Sequence, residues 1–166
     1  MRRRGDRETG RRGDGATARR GDHAVIAIVL LTLSAGVLSA DLNSVKAEPN
    51  LEKRSRLALD NAHYALRAAR SAYDNGESAR LPQLIEEVQH SVELAGDSLK
   101  ETGKNPRRSP KHFKRAEIDT RDLLRRIDTF RDQMSVVDRP MLDELRVKVQ
   151  KVHDDLLMGI MEGKRK

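Results

Sequence analysis

The stretch from Lys100 to Arg115, KETGKNPRRSPKHFKR, holds the residues whose types and spacing most clearly suggest chemistry. It contains seven Lys and Arg residues and one acidic residue. Lys100 and Lys104 fall near the C-terminal end of a predicted helix, where positive charge complements the helix dipole. The other cations surround the first turns of the next predicted helix, whose amino end is itself positive. The stretch therefore predicts an anion-binding site, because crowded charges of one sign need counter-charges.

Seven side chains make up this candidate anion site. Free amides at a helix start, one hydroxyl and two adjacent guanidinium groups suit a phosphate, carboxylate or sulfate group. The candidate residues are Lys104, Arg107, Arg108, Ser109, Lys111, Lys114 and Arg115. The expected partner is an anionic lipid headgroup, an anionic envelope polymer or an acidic protein. The alternative is a solvated loop whose cations contact the acidic face of the preceding helix. That face carries Glu86, Glu87, Glu93 and Asp97.

Two motifs have the spacing of metal ligands on one face of a helix. Asp60-x-x-His63 and Glu87-x-x-His90 match the carboxylate-x-x-His pattern of metal-binding helical bundles. A site in a bundle core requires inward ligands, whereas the apolar spacing places these four on the outer side of their helices. We therefore expect no metal and no cofactor. A cofactor- or metal-binding exported four-helix bundle is kept as the alternative function.

Groupings typical of an enzyme are weak in this sequence. Glu86-Glu87 and Asp154-Asp155 are adjacent pairs, and neighbours on a helix diverge by about 100°, so neither pair converges on a substrate. Ser109 and His112 lie three residues apart, but no acid is placed to orient the histidine. The sequence also lacks a Gly-rich phosphate loop and a zinc-protease motif. We expect no catalytic activity.

Helix is the only regular structure that the composition supports. Aromatic residues make up 2% of the chain, and no stretch alternates β-branched and polar residues. Four segments instead repeat apolar or small residues at alternating spacings of three and four, as coiled coils do. These seams are Leu51, Ser55, Ala58, Ala62, Ala65, Ala69 and Ala72; Leu81, Ile85, Val88, Val92, Ala95 and Leu99; Phe113, Ala116, Thr120, Leu123, Ile127, Phe130 and Met134; and Leu142, Leu145, Val149, Val152, Leu156 and Ile160.

Turn-forming residues separate the four segments. Gly76 and Gly103 are predicted to end the first two helices, Ser109 to cap the third by its hydroxyl, and Pro140 to lie in the first turn of the fourth. Long helices with mostly short connections predict an all-α fold, an antiparallel up-down-up-down four-helix bundle over residues 51–166. A pair of extended helical hairpins that dimerise is the alternative, and the seams leave the oligomeric state open.

The uncharged run Ala24–Ala40 separates an Arg-rich tail, residues 1–23, from the foldable part of the chain. Such an apolar segment behind a basic one is typical of a secretory signal peptide. We predict a signal and processing region over residues 24–47, with cleavage after Ala47. An uncleaved anchor that holds the chain in the membrane through residues 24–40 is the alternative, since 17 residues lie at the short edge of what spans about 30 Å. Both interpretations place the helical domain on the far side of the inner membrane, because an Arg-rich segment before an apolar run stays on the cytoplasmic side.

The tail repeats Arg-Arg-Gly-Asp three times at a spacing of eight residues and is predicted to be disordered. Removing residues 1–47 lowers the net charge from +7 to +3, because the remainder holds 24 Lys and Arg against 21 Asp and Glu. Nucleic acid is therefore not an expected partner. The chain has no cysteine, which excludes disulfides and Cys-ligated metals. Together the sequence predicts a periplasmic, secreted or membrane-anchored binding or structural protein of the cell envelope.

Overall fold

A computed structural model describes residues 42–162, which form five helices and contain no strand. They are α1 (Leu42–Lys46), α2 (Leu51–Asp74), α3 (Leu81–Glu101), α4 (Pro110–Gln133) and α5 (Arg139–Glu162). The predicted all-α class is thereby confirmed, and each of the four predicted segments forms one long helix. The Arg-rich tail, the run 24–40 and residues 163–166 lie outside the described residues.

The helix ends follow local signals in the sequence. Asn50 caps α2, because its Oδ1 accepts a hydrogen bond of 2.9 Å from the backbone N–H of Lys53. Gly76 and Gly103 have φ angles of 73° and 68°, the left-handed conformation that ends a helix and that glycine adopts without a steric penalty. Pro110 is the first residue of α4, where its missing N–H leaves no hydrogen bond unmade.

The core lies along the four predicted seams. All seven residues of the third predicted seam are buried, six in α4 and Met134 directly after it, and so are those of α2 except Leu51. In α3 and α5 most seam residues are buried, whereas Ile85, Val152 and Ile160 are half-buried. The three- and four-residue spacing therefore identified the inward face of each helix correctly.

Two antiparallel helix pairs account for most of the contacts. α2 packs mainly against α3, and α4 packs mainly against α5. The pairs meet through α3 with α5 and through α2 with α4. Lys148 of α5 donates to Gln89 of α3 at 2.8 Å, and Lys100 of α3 donates to Asp155 of α5 at 3.2 Å. Gln89 precedes Lys100 in α3, and its partner Lys148 precedes Asp155 in α5. The two helices therefore run in the same direction.

The short helix α1 precedes the predicted start of the helical domain at residue 51. It packs against α2 and α3, and its Val45 is 1% exposed and belongs to the core. The predicted processing region 24–47 therefore overlaps a segment that contacts the domain. Within residues 42–162, none of the helices combines the length and the hydropathy that a membrane span requires.

Candidate anion-binding site

The loop between α3 and α4 holds the basic stretch and is shaped by its own polar groups. Asn105 Oδ1 accepts hydrogen bonds from the backbone N–H groups of Arg107 at 2.9 Å and Arg108 at 3.4 Å. The N–H of Ser109 donates to the backbone carbonyl of Asn105 at 2.9 Å. This Asx-type turn fixes the backbone without using the cationic side chains, which are left to project from it.

Pro106 joins this loop to the last helix. Its ring is buried, and a Cβ placed on Gly159 of α5 would lie only 3.2 Å from Pro106 Cγ. A side chain at position 159 would therefore crowd the proline ring, and glycine allows the two segments to approach closely. The contact holds Arg107 and Arg108 beside the C-terminal end of α5.

The carboxylate of Glu52, a residue of α2, lies next to the basic loop. Its side chain accepts a hydrogen bond of 2.6 Å from Lys104 Nζ, and its second oxygen lies 3.3 Å from His112 Nε2. The hydrogen bond from Lys104, helped by the charges of His112 and Lys111, lowers the pKa of Glu52 below its usual value. Glu52 is therefore ionised and neutralises part of the predicted site.

Arg115 is also neutralised within the protein. Its Nε lies 2.9 Å and 3.1 Å from the two carboxylate oxygens of Asp119, one turn further along α4. The hydrogen bond to Asp119 raises the pKa of Arg115. Lys104 and Arg115 are thus paired with acids, and the charge of each is partly neutralised within the protein.

The acidic face of α3 does not supply the counter-charges that the loop alternative required. Lys100 lies near Asp97, at 4.0 Å, and is closer to Asp155 of α5, at 3.2 Å. Glu86 lies near His90, and Glu93 accepts a hydrogen bond from Gln89. Of the proposed acidic partners, Asp97 thus lies close to a cation of the basic stretch, whereas the contacts of Glu86 and Glu93 are with their own helix.

Four cations of the predicted site remain at the surface. Arg107, Arg108, Lys111 and Lys114 are exposed, and none forms an ion pair with any residue between 42 and 162. Ser109 is exposed beside them at the N-cap of α4. The prediction that its hydroxyl caps the helix is wrong, because that side chain makes no capping hydrogen bond. The first turn of α4 also contains no acidic residue.

A cavity of about 300 Å³ lies between α2 and α4 next to this cluster. Glu52, His112, Arg115 and Asp119 line it, together with apolar atoms of Leu59 and other side chains. The two acids in this wall already pair with cations of the protein. Two of its cationic side chains thus have an acidic partner in the same wall or the adjoining loop, unlike the cations of the exposed cluster.

The two carboxylate-x-x-His motifs do not form a metal centre within residues 42–162. Asp60 and His90 are exposed, whereas His63 and Glu87 are half-buried. Burial, followed by the positive charge of Arg126, lowers the pKa of His63. No group of three His, Asp or Glu side chains in the described residues is arranged to hold a metal ion.

His153 is a buried polar residue between α4 and α5. Its Nδ1 lies 3.2 Å from Thr120 Oγ1, and its Nε2 lies 3.9 Å from Glu117 Oε1. Arg121 donates to the other oxygen of Glu117 at 2.8 Å. In the sequence, the presence of polar Thr120 at a position of the otherwise apolar seam was the feature that could have indicated this contact.

The exposed cluster thus combines four unpaired cations, a free hydroxyl and the amino end of α4 on a fixed loop. Such a cluster can bind an anion without any rearrangement of the backbone, because the turn at Asn105 already sets its shape. The chain matches no protein-family model, and searches of curated proteins and of solved structures found no similar protein.

Proposed function

We propose that this chain is an exported, non-enzymatic protein of the cell envelope that binds anionic groups through its basic loop, residues 100–115. The observation that carries the proposal is the cluster of Arg107, Arg108, Lys111 and Lys114, which is exposed and has no acidic partner among residues 42–162. The binding group would be a phosphate, carboxylate or sulfate on a lipid, a polymer or a protein.

Electrostatics of the helix end supports this assignment. Cations near a helix amino end face the positive end of the dipole, and each such placement is unfavourable by roughly 0.3–1 kcal/mol at the surface. Lys111 and Lys114 both lie in the first turns of α4, and Arg107 and Arg108 precede them. An external anion would relieve this repulsion and accept hydrogen bonds from the free amides of α4.

The arrangement of the long helices is part of the same proposal. We infer that α2 to α5 form a four-helix bundle built from two antiparallel hairpins, α2 with α3 and α4 with α5. The bundle would act as a rigid support, since Pro106 packs on Gly159 and Lys104 reaches Glu52. The loop would then present its free cations in a constant geometry.

Export rests on the sequence of the leader. The run 24–40 follows an Arg-rich segment and would direct the helical domain across the inner membrane, as a periplasmic, secreted or membrane-anchored protein. In that location, anionic headgroups and anionic envelope polymers are the abundant ligands for a cationic surface.

Retention on an immobilised polyanion tests the binding function. We expect Arg107→Gln combined with Arg108→Gln to lower the salt concentration that elutes the full chain from a heparin column, because two unpaired cations are lost. A matched control is Arg70→Gln with Arg125→Gln, which removes two exposed arginines elsewhere on the domain that form no ion pair among the described residues.

The comparison between the two double variants decides the outcome. Both have the same net charge and keep the same Arg-rich tail, so a difference in elution measures the loop alone. Equal elution of the two variants would contradict the proposal. A further variant, Glu52→Gln, should raise the eluting salt concentration, because the loop loses its internal carboxylate.

A further inference from the structure

Four exposed apolar side chains lie at the same end of the molecule as the basic loop. Leu157, Met158 and Met161 of α5 are 38%, 54% and 67% exposed, and Ile118 of α4 is 52% exposed. The three residues of α5 lie within one turn of Gly159, which contacts Pro106 of the basic loop. Large apolar side chains in one region of a surface are typical of a site that is covered by a partner.

The register of α4 and α5 places Ile118 beside the residues of α5. Arg146 Nε donates to Asp128 Oδ1 at 2.7 Å, and His153 lies 3.2 Å from Thr120. Continued along the antiparallel pair, this register sets Ile118 opposite the turn that contains Leu157. Lys114 is one turn before Ile118 on the same face of α4, so it flanks the apolar residues.

Cations therefore border the apolar residues at this end. Arg107 and Arg108 follow Pro106, which contacts Gly159, and Lys111 and Lys114 lie along α4. None of the four forms an ion pair with a described residue. Apolar side chains next to Lys and Arg are the composition of surfaces that bind anionic bilayers, in which hydrocarbon takes up the former and headgroups attract the latter.

The opposite end of the α4–α5 pair offers an internal comparison. Val136 and Val137 in the connecting loop are 75% and 87% exposed. The neighbouring cations are only half-buried or paired: Arg131 pairs with Asp143, and the half-buried Arg139 donates to a backbone carbonyl. Exposed cations without an ion pair thus accompany the exposed apolar side chains at the basic-loop end, whereas neither Arg131 nor Arg139 is fully exposed at the opposite end.

We propose that Ile118, Leu157, Met158 and Met161 insert at the surface of an anionic lipid bilayer while Arg107, Arg108, Lys111 and Lys114 contact its headgroups. This inference rests on the proposed anion-binding function and narrows its ligand to lipid. A second copy of the chain is disfavoured as the occupant, because it would bring the same cations to the same face. A bilayer provides both the negative charge and the apolar medium that the surface requires.

A tryptophan introduced into this surface would be the only one in the protein, because the chain contains none of its own. Its fluorescence therefore reports on this surface and not on the leader. We expect the emission of the Met158→Trp variant to shift to the blue with vesicles of phosphatidylcholine and phosphatidylglycerol, and to remain unshifted with phosphatidylcholine alone. The control variant Val137→Trp should show no shift with either vesicle. Met161→Trp serves as a second probe if the first variant loses its helical signal in circular dichroism.

Three results would overturn the lipid assignment. They are an unshifted spectrum at both probe positions, an equal shift with neutral vesicles, and a shift that appears without vesicles as protein concentration rises, which would indicate self-association.

Adding Arg107→Gln and Arg108→Gln to Met158→Trp should abolish the shift, and an unchanged shift would also contradict the proposal. If heparin retention still depends on Arg107 and Arg108 while the spectrum stays unshifted, anion binding stands and only the lipid inference falls.

Discussion

The two antiparallel helix pairs differ in the side chains that one helix of each pair contributes to the core. α2 presents a seam of small side chains to α3, and five of its alanines are at most 3% exposed. They are Ala58, Ala62, Ala65, Ala69 and Ala72. α4 and α5 instead bury large side chains against each other and against the rest of the core. The largest of these are Phe130, Leu123, Ile127, Leu142 and Leu145.

Because of this difference, the two pairs should tolerate different changes in side-chain volume. Small residues let two backbones approach closely, and α2 and α3 share the most extensive contact of all helix pairs described. α4 and α5 both contribute large side chains to the core, and charged side chains pair at the edge of their contact, as Arg146 does with Asp128. The first pair should be sensitive to added volume, and the second to lost volume.

Truncating a large side chain in α5 should have the largest effect. Leu145 is 1% exposed in the core, so Leu145→Ala removes buried atoms and leaves a cavity. We expect the free energy of unfolding to fall by about 2–5 kcal/mol, measured by urea denaturation. Met158→Ala, at an exposed position of the same helix, is the control and should change stability by less than about 0.5 kcal/mol. A loss below about 1 kcal/mol at Leu145 would show that the pair is loosely packed.

Enlarging a small side chain in α2 should have the next largest effect. Ala65 has no exposed surface, and Ala65→Leu forces additional atoms between α2 and α3. We expect a loss of about 1–3 kcal/mol in the free energy of unfolding. Ala68, which is half-buried on the same helix, provides the matched control through Ala68→Leu. If both substitutions were equally tolerated, the close approach of α2 and α3 would not be important for stability.

The contact between the two pairs should make stability depend on pH. His63 of α2 faces Arg126, Asp122 and Asp119 of α4, and its pKa is lowered by burial and then by the charge of Arg126. A histidine whose folded pKa lies below its unfolded value of about 6.5 contributes fully above that pH, and this contribution is lost as pH falls through the folded pKa. Stability should therefore decrease as pH falls below about 6.5.

Denaturation at a series of pH values tests this assignment. His63→Gln should flatten the dependence in the range just below pH 6.5, because glutamine does not titrate. Acidic groups with lowered pKa values, such as Glu52, act only below about pH 4.5 and do not overlap this range. The same slope in both proteins would assign the dependence to another group.

The smallest effect is expected at a buried hydroxyl on α3. Ser98 is 1% exposed, and its Oγ has no hydrogen-bond partner among the described residues. Ser98→Ala removes an unsatisfied polar group and introduces a better helix former, so stability should stay constant or rise by up to about 1 kcal/mol. Ser91→Ala is the control and should be destabilising, since Ser91 accepts a hydrogen bond of 2.9 Å from Asn61. A clear loss of stability in Ser98→Ala would contradict this description of the α2–α3 contact.

Much of the helical structure was predictable, because it depends on residues close together in sequence. The glycine conformation at Gly76 and the start of α4 at Pro110 follow from one or two residues each. The burial of Phe113 and Leu123 follows from a spacing of three and four. The short helix α1 was missed, because five residues with a single buried apolar side chain, Val45, carry no periodic signal.

The candidate site was predictable only in part. The composition of residues 100–115 showed that cations gather there, but not which of them are already paired. Lys104 meets Glu52 across 52 residues of sequence, and no local pattern relates the two. Ser109 lies at the expected N-cap, yet its backbone conformation, with φ of −127° and ψ of 64°, leaves its hydroxyl without a capping bond.

By itself the sequence determined where the long helices run, which face of each is apolar and where positive charge accumulates, because periodicity, capping and composition act within a few residues. Only the tertiary structure decided which helices are neighbours, which cations form an ion pair and which apolar side chains stay exposed. Those outcomes depend on how whole helices dock. Residues as distant as Pro106 and Gly159 meet only after two helices and a loop have packed together.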